Sequence, residues 1–116
     1  MDSWSPAALV ERLGGDETLA RQLAAIFVAE CPRMMAAVRE AVSAGDASRI
    51  RRAAHALKGS VGNFTNQAPT TTALALEEAA RRGDLGAAAA LVPVLEREVA
   101  VVVEHLGRFA VEPCRS

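Results

Sequence analysis

The sequence predicts an all-α protein, an antiparallel up-down-up-down four-helix bundle with a short extra N-terminal helix. Three Gly-Asp steps, Gly15-Asp16, Gly45-Asp46 and Gly83-Asp84, punctuate the chain. In each, glycine suits the left-handed residue that closes a helix, and aspartate suits the N-cap of the next. Between these marks apolar residues recur at intervals of three and four, as in helices with one buried stripe, and nothing alternates as a strand would. Composition agrees: 51% of residues are hydrophobic but only 3% aromatic, with no tyrosine. Alanine and leucine, both strong helix formers, dominate.

The elements follow in order. Ser5-Pro6 reads as an N-cap with proline in the first turn, opening a short helix near 6–13. A long segment spans 17–44, where Leu19, Leu23, Ile26 and Phe27 lead toward Met34, Val38, Ala41 and Val42 as the expected stripe. Pro32 should kink or divide it, because proline removes a backbone donor and clashes with the preceding turn. The third segment, 47–63, carries Ala47, Ile50, Ala54, Leu57, Val61 and Phe64 on one face. A fourth covers about 67–82, with Asn66 as a possible N-cap that would put Pro69 in the first turn. The last, 85–109, repeats the stripe through Leu85, Ala88, Val92, Leu95, Val99, Val102, Leu106 and Phe109, and Pro93 should bend it. At about 1.5 Å per residue it overhangs its shorter partners. Short connections imply antiparallel neighbours. The 116 residues suit a single domain, with a core over about 5–110 and a frayed tail at 111–116; the bundle closes its own core, so a monomer is expected.

Several function classes drop out. No apolar run reaches the 18 or so residues of a membrane-spanning helix, and MDSWSPAALV lacks the basic and apolar regions of a signal peptide, which makes a soluble cytoplasmic protein the expectation. A formal charge of −1 argues against bulk attraction to nucleic acid or an anionic membrane. Cys31 and Cys114 do not make a disulfide framework and read as a buried thiol and a stray one. No H-E-x-x-H or cysteine-rich pattern suggests a metal, and no Gly-rich loop follows a strand, so nucleotide binding lacks support. His105, near the end of the last helix, reads as a partner of that helix terminus; Glu77-Glu78 and Glu96-Arg97-Glu98 read as solvated faces.

The informative stretch is Ala53-Ala54-His55-Ala56-Leu57-Lys58-Gly59-Ser60-Val61-Gly62-Asn63-Phe64. His55 lies one step beyond the stripe residue Ala54, about 100° round the helix. Arg51 and Arg52 precede it by one turn, and Lys58, Gly59 and Gly62 follow on the same side. A neutral imidazole nitrogen is a good nucleophile near neutral pH, and flanking cations stabilise negative charge on an incoming phosphoryl group. Glycine within a helix costs about 0.5–1 kcal/mol relative to alanine; close approach by a partner at Gly59 and Gly62 would explain that cost. Of the 13 basic residues, Lys58 alone is a lysine, a compact ammonium where the rest are planar forks. On periodicity alone the same pattern also suits a solvated histidine, glycines that permit tight helix packing, and an arginine pair on a solvated face.

His55-Ala56-Leu57-Lys58-Gly59 resembles the H-x-L-K-G signature of histidine-containing phosphotransfer (HPt) domains. The framework is similar too: Leu13-Gly14-Gly15-Asp16 with Leu19, Phe27 and Glu30-Cys31-Pro32 at the start, Ala44-Gly45-Asp46 before the active helix, and Leu76-Glu77 with Arg82-Gly83-Asp84-Leu85 toward the end. The resemblance implies a four-helix bundle whose exposed His55 is phosphorylated on Nε2, accepting the group from receiver-domain aspartates or passing it to them. Lys58 would attend the phosphate, and Arg51, Arg52, Gly59 and Gly62 would face the partner. The partners implied are the receiver domains of response regulators and hybrid sensor kinases, which supply the acidic pocket and Mg²⁺; the chain would be a phosphocarrier without kinase activity, a cofactor of its own or a metal. This fits the absence of carboxylate clusters around His55 in the sequence. Thr65-Asn66, where many members have Gly-Ala, and the helix-poor Gln67–Thr72 stretch depart from the family pattern and suggest a longer connection. A docking adaptor that carries no phosphate, and a nucleic-acid-binding module using Arg49, Arg51, Arg52, Arg81 and Arg82, are the competing functions. Loss of Lys58 should barely affect stability, since it reads as an exposed cation.

Overall fold

A computed structural model describes residues 6–64 and 68–111. Among the described residues five helices make up the fold: α1 (Pro6–Arg12), α2 (Glu17–Ala44), α3 (Ala47–Val61), α4 (Thr70–Arg81) and α5 (Leu85–Val111). Contacts run from α2 to α3, α3 to α4, α4 to α5 and back from α5 to α2, closing a four-helix ring, while α1 lies against α2. The bundle is rod-like, 51 × 22 × 20 Å, because α2 and α5 extend well past their shorter partners.

The Gly-Asp steps do what their chemistry predicts. Gly45 takes φ 65° and turns its N–H back to Ala41 and Val42 carbonyls; Asp46 then accepts the Arg49 N–H at 3.1 Å as N-cap of α3. Asp16 and Asp84 cap α2 and α5 in the same way, accepting from Leu19 and Ala87. The stripes of α3 and α5 are buried as their spacing requires, from Ile50, Ala54, Leu57 and Val61 to Ala88, Leu95, Val102 and Phe109; Leu85, at the open end of α5, stays 39% exposed.

Four expectations need correction. In α2 the buried line is Ala20, Ala24, Phe27, Cys31, Met35, Val38 and Ala41, while Leu19 and Ile26 are exposed. In the first turns the small Ala20 and Ala24 let neighbouring helices approach closely, so there the face with less hydrophobic bulk is the buried one. Pro32 does not divide α2, which runs unbroken through it as α5 does through Pro93; both prolines lie on exposed sides, where the ring meets solvent and not the core. Helix α3 ends at Val61, which leaves Gly62 as its cap. Helix α4 begins at Thr70 with Pro69 as its N-cap, not near 67 with Pro69 in the first turn; a proline disfavours helical backbone in the residue before it, here Ala68. The suggested caps Ser5 and Asn66, the residues Thr65 and Gln67, and the tail beyond Val111, with Cys114, lie outside the described residues. The Cys31 thiol is buried as expected, and burial pushes its pKa up.

Candidate functional site

Helix α3 presents His55 on the α4 side of the bundle. Ala54 and Leu57 are fully buried, which fixes the rotation of the helix and turns position 55 outward. The imidazole is 69% exposed. Beside it Arg51, Arg52, Ala56 and Glu77 line an open depression of about 370 Å³. Arg51 and Arg52 are exposed and share that depression with the imidazole.

The unexpected member is Glu77. It belongs to α4 and is 8% exposed, among otherwise apolar buried residues. Its Oε1 accepts a hydrogen bond from Lys58 Nζ at 2.9 Å. Its Oε2 lies 3.5 Å from His55 Nδ1 and also 3.5 Å from Arg81 Nη2. The hydrogen bond from Lys58 holds the Glu77 carboxyl below its ordinary pKa of 4.5, with the charges of Lys58 and His55 adding to the effect against the opposing pull of burial. Glu77 is therefore no solvated face, and a carboxylate does stand at His55. The missed signal lies in the spacing of α4: Ala73, Leu76 and Ala80 define its buried stripe, and Glu77 falls beside Leu76 and one turn from Ala73. A carboxylate on an inner helix face needs a partner, and Lys58 is the compact cation that reaches it.

Lys58 is correspondingly not the exposed cation expected; its side chain is 27% exposed and committed to Glu77. The two glycines separate. Gly59 lies within α3, exposed, and a Cβ added there would meet open space. At Gly62 a Cβ would lie 3.0 Å from the Lys58 carbonyl oxygen, a tight contact with the end of the helix itself. His105 turns its Nδ1 to the Val101 carbonyl at 2.8 Å, one turn back in α5. Glu96 bridges to Arg39 of α2 at 2.7 Å, and Glu98 keeps one oxygen buried without a hydrogen-bond partner, so that run is not simply solvated. Among the described residues no group of three or more His, Cys, Asp or Glu side chains could hold a metal ion, and no helix is long and apolar enough to cross a membrane.

With Nδ1 facing a carboxylate, the ring is biased to carry its proton there, which leaves Nε2 as the nitrogen with an available lone pair. An exposed nucleophilic nitrogen bordered by cations can accept and release an anionic group without a pocket of its own. The family model described as Hpt domain matches residues 22–105. The crystal structure of histidine-containing phosphotransfer protein B (HptB) from Pseudomonas aeruginosa PAO1 is similar, with 30% sequence identity, a TM-score of 0.82, and coverage of 90% of this chain and 91% of that one. No curated protein matches the chain.

Proposed function

The chain belongs to the Hpt-domain family, and from that membership we propose that it carries a phosphoryl group on His55 Nε2 between receiver-domain aspartates of a two-component phosphorelay. The observation that carries the proposal is the exposed imidazole whose Nδ1 stands 3.5 Å from the Glu77 carboxylate. The Nε2 lone pair attacks the phosphorus of an aspartyl phosphate; the P–O bond to the aspartate breaks and the carboxylate leaves with its electron pair. The proton stays on Nδ1 throughout, and the positive charge that grows on the ring is offset by Glu77. Return of the group to a second aspartate runs the same steps backward. Lys58 holds Glu77 in place and brings a cation within one helical turn of the phosphoryl group.

The receiver supplies the acidic pocket and Mg²⁺, so this chain acts as a phosphocarrier and not as a kinase. Arg51 and Arg52 border the acceptor and complement such an acidic partner. On the other side, the turn of α3 that carries Gly59 adjoins an apolar recess of about 130 Å³ lined by Leu23, Ile26, Phe27, Met34 and Phe64, with Ile26 59% exposed at its rim. Glu30, Ser60 and Asn63 complete its lining, and an exposed, mainly apolar recess of this kind suits a partner's docking element.

Incubation with a phosphorylated receiver tests the proposal. Label should move onto the chain, return to unlabelled receiver, and fail to appear on His55→Gln. Ile26→Glu should keep the fold and weaken receiver binding. Equal receiver binding by wild type and His55→Ala, with no label moved by either, would make the protein an adaptor instead.

A further inference from the structure

Glu77 Oε2 has two suitors at the same distance. His55 Nδ1 and Arg81 Nη2 both lie 3.5 Å from it, while Oε1 is occupied by Lys58 at 2.9 Å. Arg81 sits one turn beyond Glu77 in α4, and its other amino group is bonded to Glu78, so the guanidinium bridges two carboxylates along the helix surface. It is 51% exposed, near the end of α4, and no core packing requires it. We infer that Arg81 is a positioning residue for phosphotransfer, which acts through Glu77 by drawing its Oε2 partly away from the imidazole and so balances acceptance of the phosphoryl group against its release. The inference rests on the phosphocarrier role proposed above.

The physical basis is competition for one acceptor oxygen. A guanidinium shares the lone pairs that would otherwise close a short, charge-assisted bond from Nδ1–H. Were Oε2 left to His55, the imidazole–carboxylate contact would tighten, the Nδ1–H tautomer would gain, and Nε2 would become a better nucleophile. A better nucleophile is also a poorer leaving group. The phosphorylated ring bears positive charge with its proton on Nδ1, and a fully engaged Glu77 would stabilise that state most of all. A relay intermediate must give up what it accepts, and a guanidinium that weakens this contact lowers the barrier to release at some expense in uptake.

Two variants of the full chain, Arg81→Ala and Arg81→Lys, test this by two readouts. The first is the ¹⁵N chemical shifts of the His55 ring in the unphosphorylated protein, which report the tautomer and need no partner. The second is the pair of transfer rates with a receiver, measured in both directions. In Arg81→Ala the shifts should move toward the Nδ1–H form, acceptance should quicken and release should slow, so that the equilibrium moves toward phosphohistidine by about threefold, the scale of one strengthened hydrogen bond. Arg81→Lys, which keeps a cation at the position, should fall close to wild type. Equal slowing of both directions would place the guanidinium on the phosphoryl group itself and overturn the inference, as would unchanged shifts and rates. If wild type accepted no phosphoryl group at all, the carrier role would fail, and the ring shifts would still decide whether Arg81 governs the tautomer.

Discussion

Glu77 Oε2 stands 3.5 Å from His55 Nδ1 while Lys58 holds its other oxygen at 2.9 Å. Lys58 therefore has a structural share in the site as well as an electrostatic one. Lys58→Ala should slow phosphotransfer and lower stability by about 1–2 kcal/mol, since it strips the closest partner from a buried carboxylate; chemical denaturation beside a transfer assay measures both, and unchanged stability would show that Glu77 finds water or Arg81 instead. Gly59 gives the opposite pairing. Alanine there should raise stability by about 0.5–1 kcal/mol, as expected for an exposed glycine within a helix, while slowing transfer if a receiver approaches that turn; a stabilised protein with wild-type transfer would remove Gly59 from the docking surface. His55 and Lys58 were legible in the sequence because their residue types and spacing are informative on one helix. Glu77 was not, since its partners lie across the α3–α4 contact, 19 and 22 positions away in the chain.

The helices themselves were legible where local chemistry acts alone. Gly-Asp steps place the starts of α2, α3 and α5 to the residue, because a left-handed glycine and an aspartate cap are determined within four or five positions. The start of α4 at Thr70 is not legible from Pro69 taken alone, as proline governs its predecessor and not only itself. In α2 the expected stripe holds at Phe27, Val38 and Ala41, but in the first turns the bulk of Leu19 and Ile26 points away from the buried Ala20 and Ala24, whose burial depends on neighbouring helices that no local window contains. Two substitutions test the element-level account by thermal denaturation. Asp46→Ala removes the cap of the helix that bears His55 and should cost about 1 kcal/mol. Ala54→Glu puts an unpartnered charge at a fully buried position of α3 and should prevent stable folding; a folded Ala54→Glu protein would mean the rotation of α3, and with it the exposure of His55, is wrong.

At the scale of the whole molecule, the closed ring of four helices sets α3 against α4, with the site built across the groove between them. Its main ionic tie is sensitive to acid. The Glu77 carboxyl is held below its ordinary value by Lys58, so the folded state binds its proton more weakly than the unfolded chain does. That contribution is fully present above the ordinary carboxylate range and is lost as the pH falls through it toward the depressed value. The stability gap between wild type and Glu77→Gln should accordingly be widest near neutrality and shrink on acidification; a gap constant from neutral to acid pH would deny the carboxylate its ionised role. The groove opens at His55 into the depression lined by Arg51, Arg52 and Ala56, which is where the proposed transfer would bring a receiver. The most direct measurement is ³¹P and ¹⁵N NMR of the chain after phosphorylation by a receiver. The account predicts one phosphoryl group bonded to Nε2 of His55, acid-labile and comparatively stable to base, with Nδ1 still protonated. Phosphorus bonded to Nδ1, or a label that survives in His55→Gln, would contradict it.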